Sequence, residues 1–244
     1  MTRKFLLPAL LIVFGLSASA QSADDILSKY FKTIGTVEKW KALQSMKTNG
    51  NMNMQGMDFP FTLYAKRPNK MYMQIQIQGM EIVQAYDGTD AWMINPFGGG
   101  KDPVKMTPEE SKEMTERNFE DDFIDYKTKG HEVTMQGTEE IDGVKCYKVQ
   151  LVKNKNNDKE DVTEIHYFDS ENYVPIMVIG YARSGPMKGT ETRTYLSDYQ
   201  EVGGLMMPFS MEVKVGGMTI QKMTYQKVNF NESIDDKMFA YPAK

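Results

Sequence analysis

Strict two-residue periodicity, repeated along most of the chain and interrupted mainly by turn-forming residues, leaves few folds open to this sequence. Over residues 70–78, Met71, Met73, Ile75 and Ile77 alternate with Tyr72, Gln74, Gln76 and Gln78, the period of a strand with one apolar and one polar face. Pro68 fixes its own φ and pushes Arg67 towards extended geometry, and Asn69 tolerates turn dihedrals, so the chain reverses before this strand. Gly79 permits the next reversal, 81–86 reads as the partner strand, and Asp87-Gly88 is a hairpin signal ahead of 91–95. Upstream, 46–54 and 59–66 read as strands. Downstream, so do 133–140, 144–153, 163–169, 175–181, 190–199, 207–215 and 218–230, punctuated by Asp142-Gly143, Asn156-Asn157, Gly185-Pro186, Gly203-Gly204 and Gly216-Gly217.

Helices are few and mostly early. Residues 23–33 place Ile26, Leu27, Tyr30 and Phe31 at helical spacing, Asp24 and Asp25 favour the N-terminus, and Gly35 ends the helix. A second short helix is expected over 37–43. Gly98-Gly99-Gly100 breaks the meander, 101–106 reads as loop, and Thr107-Pro108 starts a helix that runs to about Glu116. A further helical piece is expected around 121–126. The apolar residues of this stretch, Met106, Met114, Phe119, Phe123 and Ile124, form a thin stripe that fits either a lid over an opening or a surface crossover. The pattern predicts an α+β, mostly β fold: a strongly curved antiparallel sheet, an open and incomplete β-barrel, with a few helices forming a lid. Such a sheet packed against helices can leave an apolar cavity.

The ordered set Arg67-Pro68-Asn69, Asp87-Gly88, Trp92 and Asn95-Pro96-Phe97 resembles the periplasmic lipoprotein carriers of LolA/LolB type. The match spans about residues 64–98, with weaker echoes near the amino terminus and at Ile234 to Phe239 before Pro242. The resemblance implies a non-enzymatic periplasmic carrier for the acyl chains of lipoproteins or lipids, with an inner-membrane donor complex and an outer-membrane receptor as further partners. A lipid- or lipoprotein-sensing adaptor and an envelope protein-binding scaffold are the alternatives of the same fold. In the carriers the matching arginine lies by the cavity mouth, which implies that Arg67 is a latch whose donors hold lid backbone oxygens or ligand polar groups. By residue type alone it is a turn arginine laid over the sheet edge. The resemblance makes Met71, Met73, Ile75, Ile77, Trp92, Ile94 and Phe97 candidates for a ligand-binding concave surface. The 20 methionines suit a surface that accepts apolar partners of variable shape, or simply fill a twisted core.

The first twenty residues carry Arg3 and Lys4, an apolar run from Phe5 to Leu16, and Ala18-Ser19-Ala20. This is the layout of a secretory signal peptide cleaved near Ala20, with a run too short to span a bilayer. Residues 21–244 then form one periplasmic domain, expected as a monomer. The lone Cys146 cannot form an intramolecular disulfide and reads as a small buried hydrophobe. Cleavage moves the formal charge from -4 to -6, against nucleic acid and against charge-driven binding to anionic membranes. His131 and His166 are isolated from any metal pattern, and no nucleophile elbow or phosphate loop is present, so neither catalysis nor a cofactor is expected. The acidic runs 120–122 and 158–161 read as solvated helix or loop.

Overall fold

The computed structural model describes residues 21–98, 100–115, 119–155 and 160–242, so the expected signal segment lies outside the described residues. The helices are α1 (Ala23–Ile34), α2 (Val37–Ala42) and α3 (Pro108–Thr115). The strands are β1 (Ser45–Met54), β2 (Met57–Lys66), β3 (Lys70–Ile77), β4 (Met80–Tyr86), β5 (Ala91–Asn95), β6 (Gly100–Lys105), β7 (Glu132–Ile141), β8 (Val144–Lys153), β9 (Val162–Asp169), β10 (Pro175–Tyr181), β11 (Glu191–Val202), β12 (Leu205–Val215) and β13 (Met218–Phe230). They form one curved antiparallel sheet that does not close, in the order β6-β5-β4-β3-β2-β1-β13-β12-β11-β10-β9-β8-β7. This is the open, mostly β architecture that the alternation predicts.

Two local expectations are corrected. Residues 101–106, read as loop, belong largely to β6, which pairs with β5 through Trp92↔Lys105 and Met93↔Val104. Pro103 and Gly100 disguise it: proline removes a ladder donor, a loss that the unpaired side of an edge strand tolerates, and β6 is an edge. Residues 121–126 form consecutive turns instead of a helix, although Ile124 is fully buried. The opposite edge, β7, carries a register shift between Met135 and Gly137 and the exposed Glu139 and Glu140, features that discourage edge-to-edge association.

The two edges are consecutive in sequence, so the connection from β6 to β7 runs from one edge of the sheet to the other. It carries α3. Helix α1 begins with a capping box in which Ser22 and Asp25 satisfy each other's backbone N–H groups, and it ends at Gly35 with φ 107°. A side chain at Gly35 would also meet the Gly204 carbonyl at 2.5 Å, so glycine lets the helix end press against the β11–β12 turn. Ile26, Leu27, Tyr30 and Ile34 of α1 pack with Val149, Leu151, Phe168 and Phe123. This face of the sheet, covered by α1, is the inner face.

Directly paired residues in an antiparallel sheet share a face, so the ladder shows how far the inner face extends. One row runs Val149↔His166↔Val178↔Thr194↔Val213. Two residues along, Leu196↔Met211↔Met223↔Met52↔Phe59 continues it to the other half of the sheet. A third row reads Gly50↔Phe61↔Ile75↔Ile82. The second cluster of the core, Met52, Phe61, Leu63 and Ile75 with half-buried Met71, Met73, Ile77 and Met223, therefore lies on the same inner face as α1.

Candidate functional site

Between α1, α2, the turns after α3 and the inner face lies a cavity of about 310 Å³. Its sheet floor includes Val178, Leu196 and Met207, and its roof includes Ile34, Trp40 and Phe123. The volume is at the lower end of that of small-molecule sites. Leu196 is the first residue of the Leu196↔Met211↔Met223↔Met52 row, so an apolar track leaves the cavity and crosses the inner face. Methionines line that track, Met211 and Met223 half-buried and Met52 buried, and their unbranched thioethers adapt to variable apolar shapes.

The acidic residues 120–122, expected to be solvated, instead tie the lid down. Glu120 accepts from Arg67 Nη2 at 3.0 Å and pairs with Lys129 Nζ at 3.2 Å. Asp121 accepts the Tyr30 hydroxyl at 2.6 Å and the Phe123 N–H at 2.8 Å. Asp122 pairs with Lys153 Nζ at 3.1 Å, and the same ammonium meets Glu164 at 2.7 Å. The sequence-level clue was present: a helix-sized apolar stripe next to these carboxylates brings Phe123 and Ile124 into the core and carries the carboxylates in with them. Burial pushes the Asp121 carboxyl above its usual range despite the hydrogen bonds it accepts, and pushes the Tyr30 phenol well up with the Asp121 charge adding to it.

Glu164 behaves oppositely. Burial alone would raise it, but the His166 hydrogen bond at 3.1 Å and the Lys153 charge outweigh burial and hold it at about 2. A carboxyl depressed in the folded state stabilises the fold above its ordinary value of 4.5, and that contribution is lost as pH falls from there towards about 2. Glu164→Gln is expected to remove about 2 kcal/mol at pH 7 and to flatten the pH dependence of stability between about pH 4.5 and 2. Urea unfolding at stepped pH checks this; a variant that keeps the parental acid slope contradicts it.

Arg67, in the β2–β3 turn, donates from Nε to the Leu43 carbonyl at 2.5 Å and from Nη2 to the Trp40 carbonyl at 3.0 Å as well as to Glu120. It also lies over the Phe119 ring, 5.2 Å from its centre. One guanidinium thus joins the end of α2 to the lid turns across an opening lined by Arg67, Pro68, Glu120 and Lys129. Arg67→Leu is expected to cost about 3 kcal/mol, because it leaves Glu120 without one of its two cations, removes the donor to the Leu43 carbonyl, and leaves the Trp40 carbonyl with the Leu43 N–H alone. Hydrogen exchange in 119–131 should accelerate at least tenfold; unchanged protection there removes the latch.

The candidate residues do not share one surface. Met71, Met73, Ile75 and Ile77 lie on the inner face, whereas Trp92 pairs with Ala85 and Ile94 with Val83, opposite Tyr72 and Gln74 on the outer face. The single concave surface expected from these six residues is therefore corrected to two. The cause is the four-residue connection 87–90, which pairs Tyr86 with Ala91 and so sets the phase of β5. Trp92 is buried beneath the carboxy-terminal segment: its indole N–H donates to the Phe239 carbonyl at 2.8 Å and its ring meets Tyr241 edge-on. Phe97 sits exposed in the β5–β6 turn. None of these candidates lines the cavity itself. Its lining, from Tyr30, Trp40, Leu196, Met206 and Met207, comes from segments whose meeting depends on the long-range strand order. His131 is buried, with Nδ1 accepting the Asn154 N–H at 3.1 Å, and burial lowers its pKa. Cys146 is fully buried, and burial pushes its thiol up to about 11, away from nucleophile chemistry. Among the described residues, no group of three or more His, Cys, Asp or Glu side chains is placed to hold a metal ion, and no helix is long and apolar enough to cross a membrane.

Three solved structures share this architecture. A DUF1329 family protein from Desulfovibrio piger superposes with a TM-score of 0.59 at 12% identity, over 91% of this chain and 98% of the other. A domain assigned to outer membrane lipoprotein sorting from Vibrio parahaemolyticus gives 0.57 at 11% identity, over 88% and 94%. The LolA superfamily protein NE2245 from Nitrosomonas europaea gives 0.56 at 14% identity, over 91% and 98%. No curated protein matches the sequence. A family model described as "-like: Uncharacterized protein" matches residues 75–242, more than half of the chain. The chain belongs to that family, and its fold is the one it shares with these three structures.

Proposed function

We propose that this protein is a non-enzymatic periplasmic carrier that shields acyl chains of lipoproteins or lipids in the cavity between its lid and the inner face of its sheet. The observation that carries the reading is the apolar track from the cavity lining through Leu196, Met211, Met223 and Met52. Each methylene moved from water into such a surface contributes about 0.8 kcal/mol, so partial enclosure of a chain competes with its solvation. The lid ties supply a means of opening: Arg67–Glu120 and Asp122–Lys153 are ion pairs at a part-exposed boundary, able to exchange for water when a chain enters. The fold shared with the LolA superfamily protein NE2245 and the sorting assignment of the Vibrio parahaemolyticus domain support the same class of cargo.

The test is a titration of the chain from Gln21 with a fluorescent fatty acid kept below its aggregation threshold. Saturable one-to-one uptake, displaced by an acylated peptide and not by the same peptide without its acyl chains, is expected. Uptake that does not saturate, or that the unacylated peptide displaces equally, contradicts the reading.

A further inference from the structure

Three hairpins share one local pattern: Met54-Gln55-Gly56-Met57, Ile77-Gln78-Gly79-Met80 and Val215-Gly216-Gly217-Met218. Each closes with two residues at positive φ, Gln55 52° and Gly56 81°, Gln78 51° and Gly79 78°, Gly216 56° and Gly217 82°. That geometry matches the twist of the flanking strands and gives the tightest reversal available, so no polar loop covers the tip. The residues on either side are paired across the hairpin as Met54↔Met57, Ile77↔Met80 and Val215↔Met218. By strand alternation, all three pairs lie on the inner face, in register with Met52, Ile75 and Val213.

The sheet order places these tips side by side. In the run β12-β13-β1-β2-β3-β4-β5-β6, the β12–β13, β1–β2, β3–β4 and β5–β6 turns all fall at the same strand ends. Successive tips are about 10 Å apart. Their leading side chains are unusually bare for their size: Met218 is 73% exposed, Met57 54% and Phe97, in the fourth turn, 51%. None of the six central residues of the three hairpins is charged. The nearest charges, Asp58, Glu81 and Lys214, alternate onto the outer face. The rim is thus an amphipathic edge with an apolar lip, and the lip is continuous with the methionine track of the inner face.

We propose that this rim docks on a lipid bilayer, dipping Met57, Met80, Met218 and Phe97 into its surface so that an acyl chain passes from the membrane onto the inner face without crossing water. The occupant is a bilayer because the lip has the make-up of an interfacial element, apolar towards the membrane with charge set behind it, and because uncharged tips on an acidic chain give no handle for an anionic surface. Docking is therefore insensitive to salt. The inference rests on the carrier reading for its purpose, while the docking step is measured separately.

The experiment compares the chain from Gln21 with its Met57→Ser, Met80→Ser, Met218→Ser triple variant, whose substitutions lie at exposed or half-buried tips. Two readouts are taken: co-flotation with phosphatidylcholine vesicles at low and high salt, and uptake of the monomeric fluorescent fatty acid without vesicles. Expected are vesicle binding by the parent at both salt levels, binding weakened about 100-fold in the variant, and saturable uptake of the soluble probe by both, because the variant leaves the cavity lining and the Leu196–Met211–Met223–Met52 row unchanged. Equal flotation of parent and variant, or no flotation of a parent that takes up the probe, overturns docking and leaves the carrier reading intact. Flotation without probe uptake by the parent supports docking and contradicts the carrier reading. Self-association of the parent that the variant loses, without flotation, overturns docking in favour of a second copy as the occupant.

Discussion

Trp92→Ala lowers the stability of the protein by about 4 kcal/mol and its melting temperature by about 10 °C. The indole is 3% exposed, packs edge-on with Tyr72 and Tyr241, and donates its N–H to the Phe239 carbonyl. Removing it opens a cavity on the outer face, leaves a buried carbonyl unpaired, and frees the segment after β13 that caps β4 and β5. Trp92→Phe keeps most of the packing and loses the hydrogen bond, so it should cost about half as much. Because Trp92 faces away from the methionine track, the protein that remains folded binds the acyl probe with parental affinity. Thermal unfolding together with probe titration below the transition separates the two effects. A weakened affinity at full folding would place Trp92 in the ligand site after all.

Met211→Asp has the opposite signature. Met211 is half-buried in the middle of the row between Leu196 and Met223. In the free protein a carboxylate there keeps part of its hydration, and the fold loses about 1–2 kcal/mol. An acyl chain laid along the row would strip that hydration without offering a partner, at a cost of several kcal/mol. The affinity for the fatty-acid probe should fall at least 100-fold, while Met211→Leu, which keeps volume and apolarity, stays within about threefold. Isothermal titration of both variants checks the contrast. Equal affinities for the Asp and Leu variants would remove the inner-face track from the binding site.

The strands were legible because each carries its own signal. Alternation in residues 70–78 or 207–215 is local, and a Gly-Gly or Asp-Gly turn marks its end without reference to the rest of the chain. β6 was not legible because Asp102-Pro103 is a turn signal, and its place at the edge of the sheet makes the proline acceptable. The faces were harder still. Alternation separates Met71 from Tyr72, but whether Trp92 joins one or the other depends on the length and pairing of the 87–90 connection, which composition does not state. Glu120, Asp121 and Asp122 read as solvent-facing because a run of carboxylates usually is. Their partners, Arg67, Tyr30 and Lys153, come from three distant segments that meet only when the β6–β7 connection crosses between the sheet edges. The resemblance of Arg67 to Phe97 to a carrier motif located the fold, and the cavity itself was assembled from residues outside that motif.

Whether the inner face holds acyl chains is decided by native mass spectrometry of the chain purified from a periplasm, followed by solvent extraction of what accompanies it. The expected result is a bound phospholipid or acylated peptide, released on extraction and absent from the Met211→Asp variant prepared in the same way. A bare mass for the parent chain, with no uptake of added lipopeptide, would contradict acyl-chain binding by this face.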